Sequence, residues 1–187
     1  KNLKSIALAL VAFVTLSTTA QVSKKVDASK STINWVGKKV TGAHEGTINL
    51  KEGKLIFNGK KLVGGNFTVD MTSVSTTDLS GGMKEKLDGH LKSDDFFGTE
   101  KFPTATLVFK SIGEKGNGVY TVTADLTIKG KTNSIAFEIT VNGNTATAAL
   151  KVDRTKYDIK YGSGSFFDGL GDKAIYDEFD LTVKLTF

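Results

Sequence analysis

The chain has 187 residues, 39% apolar and 24% charged, with a net charge of +5, no Cys and two His. That length carries one domain with its own core, and the apolar share is too high for a disordered chain. Without Cys there is no disulfide framework, thiol catalysis or sulfur-ligated zinc, and two His are too few for a three-His metal centre.

In chain order, Lys1 and Lys4 precede an apolar run from Ile6 to Leu16, and Ser17-Thr18-Thr19-Ala20 follows it. This order of charged, apolar and small residues reads as a secretory signal peptide over 1–20. The run has eleven residues, short of the roughly 20 that span a bilayer. Residues 21–187 are then one exported domain, periplasmic or secreted, with no stable membrane insertion of the mature protein. Removing Lys1 and Lys4 from the 25 basic residues leaves 23 against 20 acidic ones. Arg154 is the single arginine and the lysines are scattered among acids, so no nucleic-acid partner is expected.

From Lys30 onward a period of two dominates. Ile33 and Trp35 alternate with polar neighbours, as do Ile48 and Leu50, then Phe67, Val69 and Met71. From Met83 to Lys92, apolar Met83, Leu87 and Leu91 recur every four residues, which predicts a short amphipathic helix leading into the aromatic turn Ser93–Phe97. Alternation resumes with Ala105, Leu107 and Phe109, then runs Tyr120 to Ile128, Ile135 to Val141, Ala146 to Val152 and Phe179 to Phe187. Each run puts one apolar and one polar face on a strand. Turn signals separate them at Glu52-Gly53, Asn58-Gly59, Gly64-Gly65, Lys115–Gly118, Lys129-Gly130 and Asn142–Asn144. About eight or nine antiparallel strands, each with one apolar face, require a sandwich or a closed barrel.

The inward stripes begin with small residues, Ala105 on one strand and Ala146 and Ala148 on another. In a closed barrel, small inward residues leave room for one small ligand. The alternative is that some of the 12 Phe residues fill that room. Polar candidates are few. His44 lies in a bend between strands and His90 on the helix; with Asp94 and Asp95 they do not form a recognisable metal-binding pattern, so no metal or cofactor is expected. Gly162-Ser163-Gly164-Ser165 lacks the Gly-x-Ser-x-Gly elbow because Tyr161 stands at its first position. No enzyme is expected. The aromatic, Gly-rich stretch from Tyr161 to Gly171 reads as a loop over a barrel mouth.

The chain resembles the YceI-like family of exported bacterial proteins over nearly all of 26–187. The motifs are Trp35-x-Gly37-x-Lys39-x-x-Gly42-x-His44-x-Gly46, Gly64-Gly65-x-Phe67-x-Val69-Asp70-Met71 and Leu87-x-x-His90-Leu91-x-Ser93-x-Asp95-Phe96-Phe97. They continue with Phe102-Pro103-x-Ala105, Leu126–Gly130 and Asp153-Arg154-Thr155-x-Tyr157. The resemblance implies an all-β fold, a closed antiparallel eight-stranded lipocalin-like barrel with a short helix and loops at one end. It further implies an isoprenoid or other long-chain lipid in the barrel. Trp35, Phe67, Val69, Leu107, Phe109, Phe137 and Leu150 are the candidate apolar lining. His44, His90 and Arg154 are head-group candidates, with Arg154 alternatively paired to Asp153 or another acid. Two positions depart from the family pattern: Asp158 follows Tyr157 where Gly is usual, which bears on that loop's backbone, and Leu107 replaces a frequent Phe, in the direction of a wider pocket. The competing reading is an exported β-domain with a filled core that binds a protein or glycan on its outer face. An uncovered edge strand would favour a homodimer.

Overall fold

The structure is a computed structural model that describes residues 20–187; the segment read as a signal peptide, 1–20, lies outside the described residues but for Ala20. The strands are β1 (Gln21–Lys25), β2 (Thr32–Lys39), β3 (Gly42–Asn58), β4 (Lys61–Thr76), β5 (Thr104–Gly116), β6 (Val119–Ile128), β7 (Lys131–Asn142), β8 (Thr145–Asp153) and β9 (Ile175–Thr186), with one helix, α1 (Gly81–Lys92). All pairings of these strands are antiparallel, in the order β1-β3-β2-β9-β8-β7-β6-β5-β4, and a β3–β4 pairing joins the two sides. Strands β2 to β9 therefore close an eight-stranded barrel. Only β1 lies outside the ring. It pairs with Lys54–Asn58 of β3, beyond the stretch of β3 that β2 uses. The Lys24 ammonium lies over the rings of Phe57 and Phe187, 5.4 and 5.0 Å from their centroids.

Two of the expected turns are not turns. Glu52-Gly53 and Gly64-Gly65 lie inside β3 and β4, which run 17 and 16 residues. These glycines make room for rings. A Cβ on Gly53 would strike the Phe67 ring, and one on Gly65 would stand 2.8 Å from Phe109 Cε2. Register shifts at Thr47/Asn49, Leu50/Glu52 and Ile56/Phe57 bend the long β3 around the barrel. Elsewhere the turn chemistry holds. Lys129 and Gly130 both take positive φ, 51° and 71°, as a tight two-residue hairpin turn requires.

The hairpin turns after β3, β5 and β7 share one end of the barrel; α1 and the 154–174 segment share the other. At the hairpin end the interior is solid. Leu55, Val122 and Ala146 are fully buried, with Leu62 and Tyr120 beside them, and the Tyr120 hydroxyl accepts a hydrogen bond from the Leu62 N–H at 3.4 Å.

The helix packs Leu87 and Leu91 on the core, and docks as well through a residue that the apolar spacing does not mark. Met83 is 67% exposed, whereas Leu91 is buried. Between them, the Asp88 carboxylate accepts hydrogen bonds from Thr76 N–H at 2.7 Å, Ser75 Oγ at 3.0 Å and Lys84 Nζ at 3.0 Å. Burial alone would raise its pKa, but these donors outweigh burial and bring it down to about 2. A depressed carboxylate stabilises the fold above its unfolded pKa of 3.8 and loses that contribution as pH falls toward 2. The contribution is about 2 kcal/mol. Thermal midpoints of wild type and Asp88→Asn are therefore expected to differ above pH 4 and converge by pH 2; parallel curves would refute this role.

Candidate functional site

Above the solid end the barrel is hollow. A cavity of about 180 Å³ reaches the rim at the exposed Tyr176 and Glu178. Trp35, Phe67, Val69, Leu107, Phe109, Phe137 and Leu150 all stand on its wall. Each comes from a strand whose alternate residues face inward. Trp35 presents carbon because its indole N–H donates to the Thr47 carbonyl at 3.2 Å. Ala105 and Ala148 line the cavity, whereas Ala146, two residues away, belongs to the solid end. Among the described residues on the wall only Arg154 and Glu178 carry charge, both near the rim. An apolar space of this order excludes water in preference to hydrocarbon. A completely filled core is not what this barrel has.

The upper part is covered by side chains that local patterning marked only as an aromatic turn. Phe96 and Phe97 are buried, pack edge-to-face at 5.1 Å and line the cavity. Hydrogen bonds from Phe97 N–H to the Leu91 carbonyl and from Thr99 N–H to the Lys92 carbonyl fasten this turn to the end of α1. Met71, Val74 and Ile175 complete the upper wall.

Arg154 reaches the cavity wall with its guanidinium carbon over the Phe96 ring, 5.7 Å from the ring centre. Its N–H groups go elsewhere. Nε donates to the Tyr176 carbonyl at 3.1 Å, Nη1 to Ile159 at 2.8 Å and Nη2 to Ile175 at 3.0 Å. The acid beside it is Asp177, at 3.6 Å. Asp153 instead caps the following turn by accepting from Thr155 N–H and Oγ1. Burial pulls the arginine pKa below its usual value against the attraction of Asp177 and Asp153. In the same turn Asp158 takes φ 61°. Asp tolerates this left-handed conformation, which is where Gly is at home. Its N–H donates to the Thr155 carbonyl, so the turn closes without glycine.

Neither histidine stands on the cavity wall. His44 lies within β3 rather than in a bend, and its Nδ1 meets Asp78 Oδ2 at 2.8 Å. Burial would raise the Asp78 pKa, but His44 and the Glu45 N–H bring it below the usual range. The pair pins the segment ahead of α1 to the rim. The ring of His90 makes edge contacts with Phe96 at 5.5 Å and Tyr161 at 4.4 Å, and its Nε2 is buried without a hydrogen-bond partner. It joins the helix to the 159–174 loop. That loop carries half-exposed Tyr161, Phe166 and Phe167, and Ser163 bridges it to Ile175 at the start of β9.

Known proteins share this architecture. Burkholderia cenocepacia BcnA is 27% identical, with a TM-score of 0.70 over 87% of this chain and 99% of its own. A Saccharophagus degradans domain described as polyisoprenoid-binding and implicated in plant cell wall breakdown has a TM-score of 0.60 at 18% identity, over 87% of this chain and 97% of its own. By sequence, a UPF0312 protein of Shewanella denitrificans is 36% identical over 93 residues, 50% of this chain. One from Staphylococcus aureus is 49% identical over 59 residues, 32% of this chain. The chain spans 47% and 32% of those two relatives' lengths. The family model described as YceI-like domain matches residues 25–187, which takes in the whole ring of strands and every residue of the cavity wall; this chain belongs to the YceI-like family.

Proposed function

We propose that this is an exported lipid-binding protein, periplasmic or secreted, that holds an apolar isoprenoid or fatty amphiphile in its barrel as carrier or store. The observation that carries this reading is a cavity with an almost wholly carbon wall, closed at one end and rimmed by charge at the other. Each methylene moved from water into it contributes about 0.8 kcal/mol, so a chain of sufficient length offsets the cost of association without polar contacts. The Saccharophagus domain lends its fold to this reading, while the ligand's chemistry is argued from the wall. The cavity is a binding site and not a catalytic one in this reading. Arg154 acts there as a brace of the rim, since its hydrogen bonds run to backbone carbonyls.

The test is organic extraction of the protein purified from its own host, followed by mass identification. A long-chain lipid in stoichiometric amount is the expected result. An extract without lipid, from protein that also takes up none when offered, would refute the reading.

A further inference from the structure

Phe67, Phe109 and Phe137 form one continuous group of rings, with centroids 5.7 and 5.9 Å apart. All three line the deep part of the cavity. Immediately beyond them, Val122 and Leu55 are fully buried and belong to the solid end. The middle ring has a seat. Gly65 is buried and has no side chain of its own, and the Phe109 ring lies against it, so that a Cβ there would meet Cε2 at 2.8 Å and Cδ2 at 2.9 Å. The atoms met, Cδ2, Cε2 and Cζ, lie along one edge of the ring, so the ring and not the backbone would yield.

We infer that Phe109, seated on Gly65 and flanked by Phe67 and Phe137, is the stop that sets the length of chain the barrel accepts. This rests on the reading of the cavity as a lipid site. The lining residues on β9 run from Ile175 to Leu185. At about 3.3 Å per residue and a tilt of about 40°, that wall is roughly 25 Å high. A zigzag carbon chain with bonds of about 1.5 Å advances about 1.25 Å per carbon, so each isoprene unit, with four carbons along the chain, takes up about 5 Å of depth. Because affinity grows with each buried carbon, a chain that reaches the stop gains nothing from further length, and the stop converts depth into selectivity.

The two halves of the device give opposite results when altered. Phe109→Ala removes the stop. Gly65→Ala leaves Phe109 in place but drives its ring toward the barrel axis; the φ of Gly65 is not positive, so alanine is permitted there. The experiment offers the delipidated full chain an equimolar series of linear isoprenoid alcohols from two to six isoprene units, and reads the bound set by mass spectrometry. Wild type is expected to show one preferred length within the series. In Phe109→Ala the ratio of five-unit to three-unit alcohol bound rises at least about tenfold, and in Gly65→Ala it falls by a similar factor. Phe109→Leu, a milder truncation, serves if the alanine variant does not fold, and is expected to shift in the same direction. The same preferred length in wild type and in the folded variants overturns the stop while leaving the lipid reading intact. Wild type that binds no member of the series overturns both.

Discussion

Phe109→Asp and Phe67→Asp proteins are expected to carry about a hundredfold less extractable lipid than wild type while keeping the circular dichroism of a β-sheet. Both side chains face the cavity. A carboxylate there stands against hydrocarbon with no cation in reach, since Arg154 and Glu178 are the charged members of the wall and lie near the rim. Burying one unpaired ion costs several kcal/mol. In the empty barrel water can enter beside the charge, whereas a bound chain would have to expel that water. The penalty therefore falls mainly on the complex. Val69→Asp places the same charge where the wall is less buried and should act in the same direction. Undiminished lipid in all three folded variants would end the assignment of these residues to a ligand-bearing wall.

Arg154→Met is expected to lower stability by about 3 kcal/mol, and the melting temperature of a domain this size by roughly 10 °C. The methionine fills similar space but leaves the carbonyls of Ile159, Ile175 and Tyr176 without their donors and Asp177 without its neighbouring cation. Arg154→Lys should recover little, because one ammonium cannot place donors where a planar fork reaches three separate carbonyls. Thermal unfolding of the three proteins checks this. A lysine variant as stable as wild type would show that charge, and not the fork, holds the rim.

The strands were legible because one side of each faces hydrocarbon throughout, and a period of two records this directly. Glycine was not so readable. Gly59 and Gly130 turn the chain, whereas Gly53 and Gly65 seat the rings of Phe67 and Phe109. Both uses leave the same letter in the sequence, and only the partner strand tells them apart. Apolar spacing likewise placed Met83 on the buried face of α1, where it is exposed, and passed over Asp88, which accepts from three hydrogen-bond donors, two of them on β4. A charged residue that docks a helix has no periodic signature. The seven candidate lining residues were legible as inward positions, but the level at which the hollow ends was not. Ala146 and Ala148 share one stripe and fall on opposite sides of that level because two residues along a strand advance about 6.6 Å. Arg154 shows a further limit. Its residue type suits an anion, and only the folded chain reveals that its donors are already engaged by backbone.

The division of the interior into a solid end and a hollow end also divides the work of holding the molecule together. The hairpin end is packed around Leu55, Tyr120 and Val122, while the opposite end adds discrete fastenings to its own buried Tyr157 and Ile159: Asp88 on Thr76, His44 on Asp78 and Arg154 on three carbonyls. Such fastenings can release one at a time, each at less than the global free energy, while a well-packed base stays intact. A ligand held as proposed would then pass by release of the rim fastenings, with the packed base unbroken.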